Sequence, residues 1–296
     1  MQNAKLRGIF PAIITPFNSE GDVEFEYLRD VARFQMSKGV HGFFVCGSAG
    51  EGPLMSTEQR RTVAEALITE VAGRVPVIVH AGSTNTREAN ELAKHAQDCG
   101  AAAVGVVAPF YFKPDPEGLI EHYRSIAEAV TIPVLVYNIP SRAGYNITPE
   151  TIAKICNIPN IIGVKDSSGD LIQLREIIET APKSITVING ADNLLYAALT
   201  VGVHGQISGI ANVVPELLVE LYNVYKKGEY DKALNLQTKI NAVKRSVEGP
   251  PIAPLKAALE LRGIKAGLPR RPLRPLKQSE IIILEEKLKS LNLFWH

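Results

Sequence analysis

A closed (β/α)8 barrel, the TIM-barrel class, with a C-terminal helical appendage is the fold this sequence predicts, and three observations predict it. Eight short β-rich runs alternate with amphipathic stretches of helical spacing. The β-rich runs are continuously apolar instead of alternating, as expected of parallel strands buried on both faces. The tetrapeptide Gly-Val-His-Gly recurs at Gly39 to Gly42 and at Gly202 to Gly205, each time between a helical segment and a strand. The two copies read as the same αβ turn at the amino-terminal face of one barrel, where residues serve stability more than catalysis.

The eight runs are Gly8 to Phe17, His41 to Gly47, Pro76 to Gly82, Ala101 to Pro109, Pro133 to Pro140, Ile161 to Ser168, Thr186 to Asp192 and Gly205 to Asn212. Helix starts between them carry their own signals. Ser56-Thr57-Glu58 offers an N-cap, and Thr148-Pro149-Glu150 places proline at a first helical position. After Pro215 the pattern is helical, with helices expected at 216–227, 230–246, 252–262 and 278–290. The first closes the barrel, which gives a catalytic domain over 1–228 and a helical region over 229–296. Pro269-Arg270-Arg271-Pro272 lies between the last two helices and reads as a solvated loop.

Composition narrows the function. Among 296 residues, 32 Lys+Arg face 31 Asp+Glu, so no field recruits nucleic acid or an anionic membrane, and the working partner is a small molecule. No apolar stretch is long enough to span a bilayer. Met1 to Arg7 runs directly into a strand-like segment without the apolar core of a signal peptide, which predicts a cytoplasmic protein. Cys46, Cys99 and Cys156 are scattered without Cys-x-x-Cys spacing, so neither disulfides nor a zinc site is expected, and buried inert thiols are. No His-x-His or His-x-x-x-His pair supports a metal-dependent aldol mechanism. His41 and His204 read as structural; His80, ending a strand at the opposite face, is the histidine of interest.

In such a barrel, chemistry belongs at the carboxyl ends of the strands. Val134-Leu135-Val136 ends in Tyr137 and Ile161-Ile162-Gly163-Val164 ends in Lys165, which sets a phenol and an amine on neighbouring strands at that face. Burial disfavours a charged amine, and a neutral amine beside a proton shuttle suggests Schiff-base chemistry. On position alone, a solvated charge where strand meets loop accounts for Lys165 equally well. Gly47-Ser48-Ala49-Gly50-Glu51-Gly52-Pro53 follows the second strand, with glycines that let successive amides face an anion, or that make a plain turn. Pro109-Phe110-Tyr111-Phe112-Lys113-Pro114 is an aromatic loop. Arg142, restrained by Pro140 and Gly144, offers a bidentate donor for a carboxylate, or a surface charge.

Tyr137-Asn138-Ile139-Pro140-Ser141-Arg142 and Gly163-Val164-Lys165-Asp166, supported by the glycine loop and Pro109-Phe110-Tyr111, are the strongest carriers of a resemblance. The chain resembles the dihydrodipicolinate synthase and N-acetylneuraminate lyase family of pyruvate-dependent class I aldolases, from Gly8 through the final helices. The resemblance implies that Lys165 condenses with the ketone of pyruvate while Tyr137 shuttles protons. It implies that Ser48 and Tyr111 complete a hydroxyl relay, with Tyr111 reaching in from a neighbouring subunit, and hence a homotetramer built as a dimer of dimers. The amides of Ser48 and Ala49 would hold the pyruvate carboxylate, and Gly190 and Ile207 would line the site with backbone carbonyls. Neither a metal nor an organic cofactor is implied.

The aldehyde partner divides the family. Arg142 within Ser-Arg-x-Gly resembles the synthase branch, in which that arginine grips the carboxylate of aspartate semialdehyde for lysine biosynthesis. Ser48-Ala49 stands where that branch has two threonines, and the Gly-Ser-x-Gly-Glu loop resembles instead the aldolases that release pyruvate from 2-keto-3-deoxy sugar acids or 4-hydroxy-2-oxoglutarate; Phe112, where the synthase branch commonly has asparagine, also counts against the synthase. The expectation is therefore a synthase-like carbon–carbon lyase, with the keto-acid aldolase as alternative and a non-catalytic keto-acid-binding barrel as a third. The last would have no use for Lys165, Tyr137, Tyr111 and Ser48 together.

Overall fold

The computed structural model describes residues 6–292. Residues 1–5, on which most of the signal-peptide expectation falls, and the tail at 293–296 lie outside the described residues. Eight parallel strands form one sheet in the order β1-β8-β7-β6-β5-β4-β3-β2. They are β1 (Gly8–Pro11), β2 (Phe43–Val45), β3 (Val77–His80), β4 (Ala103–Val107), β5 (Val134–Asn138), β6 (Ile161–Asp166), β7 (Thr186–Asn189) and β8 (Gly205–Ser208). Closure comes just past β1, where Ala12 bridges Phe44 in parallel and the Ile13 amide donates to the Phe44 carbonyl at 3.1 Å. The predicted barrel and its eight strands are therefore present.

Every strand is buried almost throughout, which explains its continuous Val/Ile content: both faces meet apolar neighbours. One cluster fills the barrel interior, with Phe10, Phe44, Ile78, Leu135, Tyr137, Ile188 and Ile207. A larger one packs strands against the helix layer. Helices α1 (Phe25–Ser37), α2 (Thr57–Val71), α3 (Thr86–Asp98), α4 (Pro116–Ala129), α5 (Pro140–Ala143), α6 (Pro149–Cys156), α7 (Leu171–Thr180), α8 (Leu195–Val201) and α9 (Pro215–Lys226) surround the strands. Ser56 forms a capping box with Gln59 at the start of α2, and the Thr148 hydroxyl caps α6 ahead of Pro149. Three further helices, α10 (Tyr230–Ser246), α11 (Ala253–Leu261) and α12 (Gln278–Ser290), follow within a residue or two of the spans read from sequence.

The two repeated histidines do the same job at the amino-terminal face. Nδ1 of His41 accepts from the Ile9 amide at 3.2 Å, and Nδ1 of His204 accepts from the Val187 amide at 3.1 Å. Burial holds both imidazoles below their ordinary pKa, as suits acceptors that must stay neutral. Cys46 and Cys156 are buried and Cys99 is half-buried; burial pushes the Cys46 and Cys156 thiols up to about 12, which leaves them inert.

Two sequence expectations need correction. The first run, read to Phe17, is a regular strand only to Pro11: Ala12 adds a single bridge to Phe44, and from Ile14, whose amide is taken by the Asn212 side chain at 3.0 Å, the ladder is left. The Pro-Arg segment is not simply solvated. Pro269 is buried, Arg270 donates its amide to Glu51 at 2.7 Å and its guanidinium to Gln59 at 2.7 Å, and only Arg271 and Pro272 project outward.

Candidate active site

The register of β5 against β6 puts Tyr137 directly beside Lys165. Because successive strand residues face opposite sides, both side chains enter the barrel while Asn138 and Asp166 face the helix layer. Lys165 is 4% exposed and Tyr137 3%, so the solvated-charge reading of Lys165 does not hold. The Lys165 amine sits 3.8 Å from the Tyr137 ring centroid and 4.5 Å from that of Phe44. Phe44 and His80 both meet the Tyr137 ring edge-on, with centroids 5.7 and 5.9 Å away. Two rings thus flank the amine, with His80 packed behind them, and no hydrogen bond joins the amine to any group among the described residues.

Behind this pair a polar network fixes the two strand ends. The fully buried carboxylate of Asp166 accepts from Asn138 Nδ2 at 2.6 Å and Gln173 Nε2 at 2.9 Å, and from the Ser168 hydroxyl. Asn138 Oδ1 in turn accepts from the Ile147 amide at 3.1 Å. With its partners satisfied, such a network rigidifies the strands that present Lys165 and Tyr137.

The glycine loop after β2 has the conformation an anion site needs. A Cβ at Gly52 would lie 1.8 Å from the Cys46 carbonyl, so only glycine fits there. The Gly52 amide donates to the Gly47 carbonyl and the Glu51 amide to that of Ser48, whereas the amides of Ser48 and Ala49 donate to no protein group among the described residues. Two successive free N–H groups at a half-buried turn are a ready nest for a carboxylate. The Ser48 hydroxyl is likewise uncommitted.

Ser48, His80, Val107, Phe110 and Arg142 line a cleft of about 230 Å³, closed on its other side by Pro251, Ile252 and Leu273 from the C-terminal region. Since the His80 ring meets that of Tyr137, the Lys165–Tyr137 pair lies one side chain behind this wall. Arg142, on the short helix α5, is exposed and forms no ion pair among the described residues, so its guanidinium is free for a ligand. His80 is neutral: burial, then the charges of Arg60 and Lys165, hold it well below its ordinary pKa. Its Nε2 is buried without a partner.

Gly190 and Ile207 frame the same end of the barrel. The Gly190 amide donates to the Asp166 carbonyl at 2.7 Å, and a Cβ there would strike the Ser167 hydroxyl at 1.8 Å. Ile207 packs in the interior cluster with Tyr137, and Ala49 packs against that cluster. Tyr111 is the one expected member set apart. It is 86% exposed, at a positive φ of 81°, with its ring against Phe112, and no hydrogen bond joins it to Tyr137 or Ser48.

The sequence profile of the dihydrodipicolinate synthetase family matches residues 5–291. This chain belongs to that family. A 4-hydroxy-tetrahydrodipicolinate synthase of Desulfotalea psychrophila is 40% identical over 291 residues, 98% of each chain, and one of Methanopyrus kandleri is 41% identical over 98% of this chain and 97% of its own. Among solved structures, an Escherichia coli K12 prophage protein of the dihydrodipicolinic acid synthase family, in complex with pyruvate, superposes with a TM-score of 0.95 at 31% identity over 98% of this chain and 100% of that one. With membership of the dihydrodipicolinate synthetase family comes the class of its members, carbon–carbon lyases of the class I aldolase type.

What sequence reasoning missed around the site was its support. Asn138 and Asp166 directly follow Tyr137 and Lys165, so strand alternation could have assigned them to the outer network. Phe44 had only its place in an apolar run to mark it.

Proposed function

We propose that this protein is a 4-hydroxy-tetrahydrodipicolinate synthase, condensing pyruvate with aspartate semialdehyde in lysine biosynthesis. The observation that carries the reading is the buried amine of Lys165 against the Tyr137 ring, with two free loop amides and an unpaired arginine on the adjoining cleft.

In this mechanism the Ser48 and Ala49 amides take the pyruvate carboxylate. The Lys165 amine attacks the ketone carbon, and Tyr137 returns protons so that water leaves and a protonated imine remains. The imine draws electrons from the methyl carbon, the Tyr137 oxygen removes a proton there, and the resulting enamine attacks the aldehyde carbon. The new alkoxide takes the proton back, and the amino group of the condensed semialdehyde adds to the imine carbon and expels the Lys165 amine, which closes the ring and frees the enzyme. Arg142 pairs with the carboxylate of the aldehyde substrate, and carbonyls of Gly190 and Ile207 line the pocket. No metal or organic cofactor enters any step.

Ser48 and Tyr111 complete the proton relay with Tyr137, Tyr111 acting in the site of a neighbouring subunit. The exposed, mutually packed rings of Tyr111 and Phe112 support this, since an apolar pair on a strained turn calls for a covering surface. The assembly proposed is a homotetramer, a dimer of dimers, and three unpaired thiols suit the reducing cytoplasm. Residues 1–228 form the catalytic barrel and 229–296 the helical region that backs it.

A second reading, cleavage of a 2-keto-3-deoxy sugar acid or 4-hydroxy-2-oxoglutarate to release pyruvate, is favoured by alanine at position 49 and the single loop hydroxyl of Ser48. A panel of pyruvate with aspartate semialdehyde, glyoxylate and glyceraldehyde decides: the synthase reading requires the highest kcat/KM with aspartate semialdehyde.

A further inference from the structure

The loop that carries Ser48 and Ala49 is gripped from behind by the C-terminal helices through a single buried cation. Lys256 of α11 and Glu51 of the glycine loop form an ion pair at 2.7 Å, with side chains 2% and 1% exposed. The same amine donates to the carbonyls of Thr15 at 2.7 Å and Leu268 at 2.6 Å and lies 4.8 Å from the Phe17 ring centroid. The other Glu51 oxygen accepts the Arg270 amide at 2.7 Å, and the Thr15 hydroxyl donates to the Gly50 carbonyl at 2.7 Å. One ammonium group therefore joins the exit of β1, the glycine loop, α11 and the segment leading to α12.

Stability alone is a poor reason for such a pair. Burial pushes the Lys256 amine down to about 8 in spite of the attraction of Glu51, so the charges are held against a desolvation cost. Two apolar side chains would fill that space as well or better. What an ion pair offers is direction, and direction is what this loop lacks by itself. Glu51 is a non-glycine residue at φ 57°, held in the left-handed region, and three residues before it the Ser48 amide points to no protein acceptor. We propose that Lys256, acting through Glu51, is a positioning residue that aims the Ser48 and Ala49 amides and thereby sets the affinity of the site for the carboxylate of its keto-acid substrate. This rests on the reading that those amides receive pyruvate, and it makes the helical region a working part of the substrate site.

The test compares wild type with Lys256→Met, Glu51→Gln and the double variant, each characterised by melting temperature and by borohydride trapping of pyruvate on Lys165 across a pyruvate titration. Absence of an adduct in wild type would end the pyruvate reading, and the proposal with it, before any variant is compared. Given the adduct, Lys256→Met should raise half-saturating pyruvate by roughly tenfold while the maximal trapping rate stays within about threefold, the pattern of lost ground-state binding. Glu51→Gln should move the same way by less. The double variant, with both charges gone, should regain melting temperature without regaining pyruvate affinity. Half-saturation equal to wild type in Glu51→Gln and in the double variant would leave the pair a purely structural contact and overturn the proposal, and that comparison decides even if Lys256→Met alone does not fold.

Discussion

Lys165 and Tyr137 stand side by side in the register of β6 and β5, with the amine 3.8 Å from the centroid of the phenol ring. Register, and not loop conformation, sets this relationship, so it is as rigid as the sheet itself. Asp166 and Asn138, bonded at 2.6 Å on the opposite face of the same two strands, lock that register from outside. The reacting pair is thereby positioned by secondary structure, while the groups that select substrates, Ser48, Ala49 and Arg142, sit on loops and a short helix above it.

Arg142→Ala should separate the two half-reactions. Trapping of pyruvate on Lys165 should persist, whereas kcat/KM for aspartate semialdehyde should fall on the order of a hundredfold or more, because a charge-assisted bidentate contact is lost. Condensation with uncharged glyceraldehyde should be spared. Equal losses for both aldehydes would mean that Arg142 organises α5 instead of gripping a carboxylate.

Ala49→Thr should tighten pyruvate binding. The Ala49 side chain packs against the interior cluster at the mouth of the barrel, where a hydroxyl could reach an anion held by the loop amides. A neutral donor to a charged acceptor contributes about 1.5 to 3 kcal/mol at best, so a several-fold fall in pyruvate KM is expected without a new activity. Steady-state kinetics reads this directly, and an unchanged or raised KM would place the carboxylate elsewhere.

Stability should decline as pH falls below the ordinary histidine range. Burial lowers His41, His122 and His204, and His80 is held well below its usual value by burial and then Arg60. Each is neutral in the folded protein where the unfolded chain already binds a proton, so stability present above about pH 6.5 is lost towards the folded pKa. His122, lowered to about 4, accounts for up to about 3 kcal/mol of this. Thermal melts from pH 7.5 to 5 should show a falling midpoint, and His122→Asn should flatten the slope; a flat wild-type curve would contradict the assignment.

Much of the fold was legible in the sequence because a parallel barrel writes itself in local patterns. Runs such as Val134 to Tyr137 and Ile161 to Lys165 are apolar on both faces, and their ends locate the chemistry. The glycine loop was legible because Gly52 has a backbone reason to be glycine. Contacts between distant segments were not legible. Lys256 carries no local mark of its partnership with Glu51, and Arg270 sits in a Pro-Arg run that resembles any exposed loop. His80 could be singled out by position, yet its ring contact with Tyr137 depends on the pairing of β3 with β4 and of β4 with β5. Tyr111 shows the opposite limit, for the role expected of it concerns another subunit.

The most direct test of the account is borohydride reduction in the presence of pyruvate, followed by intact and peptide mass spectrometry. The account predicts a stable adduct, one per chain, on Lys165, absent from Lys165→Ala and formed far more slowly in Tyr137→Phe. An unmodified Lys165, or equal loading in Lys165→Ala, would contradict the Schiff-base mechanism and with it the function proposed for this barrel.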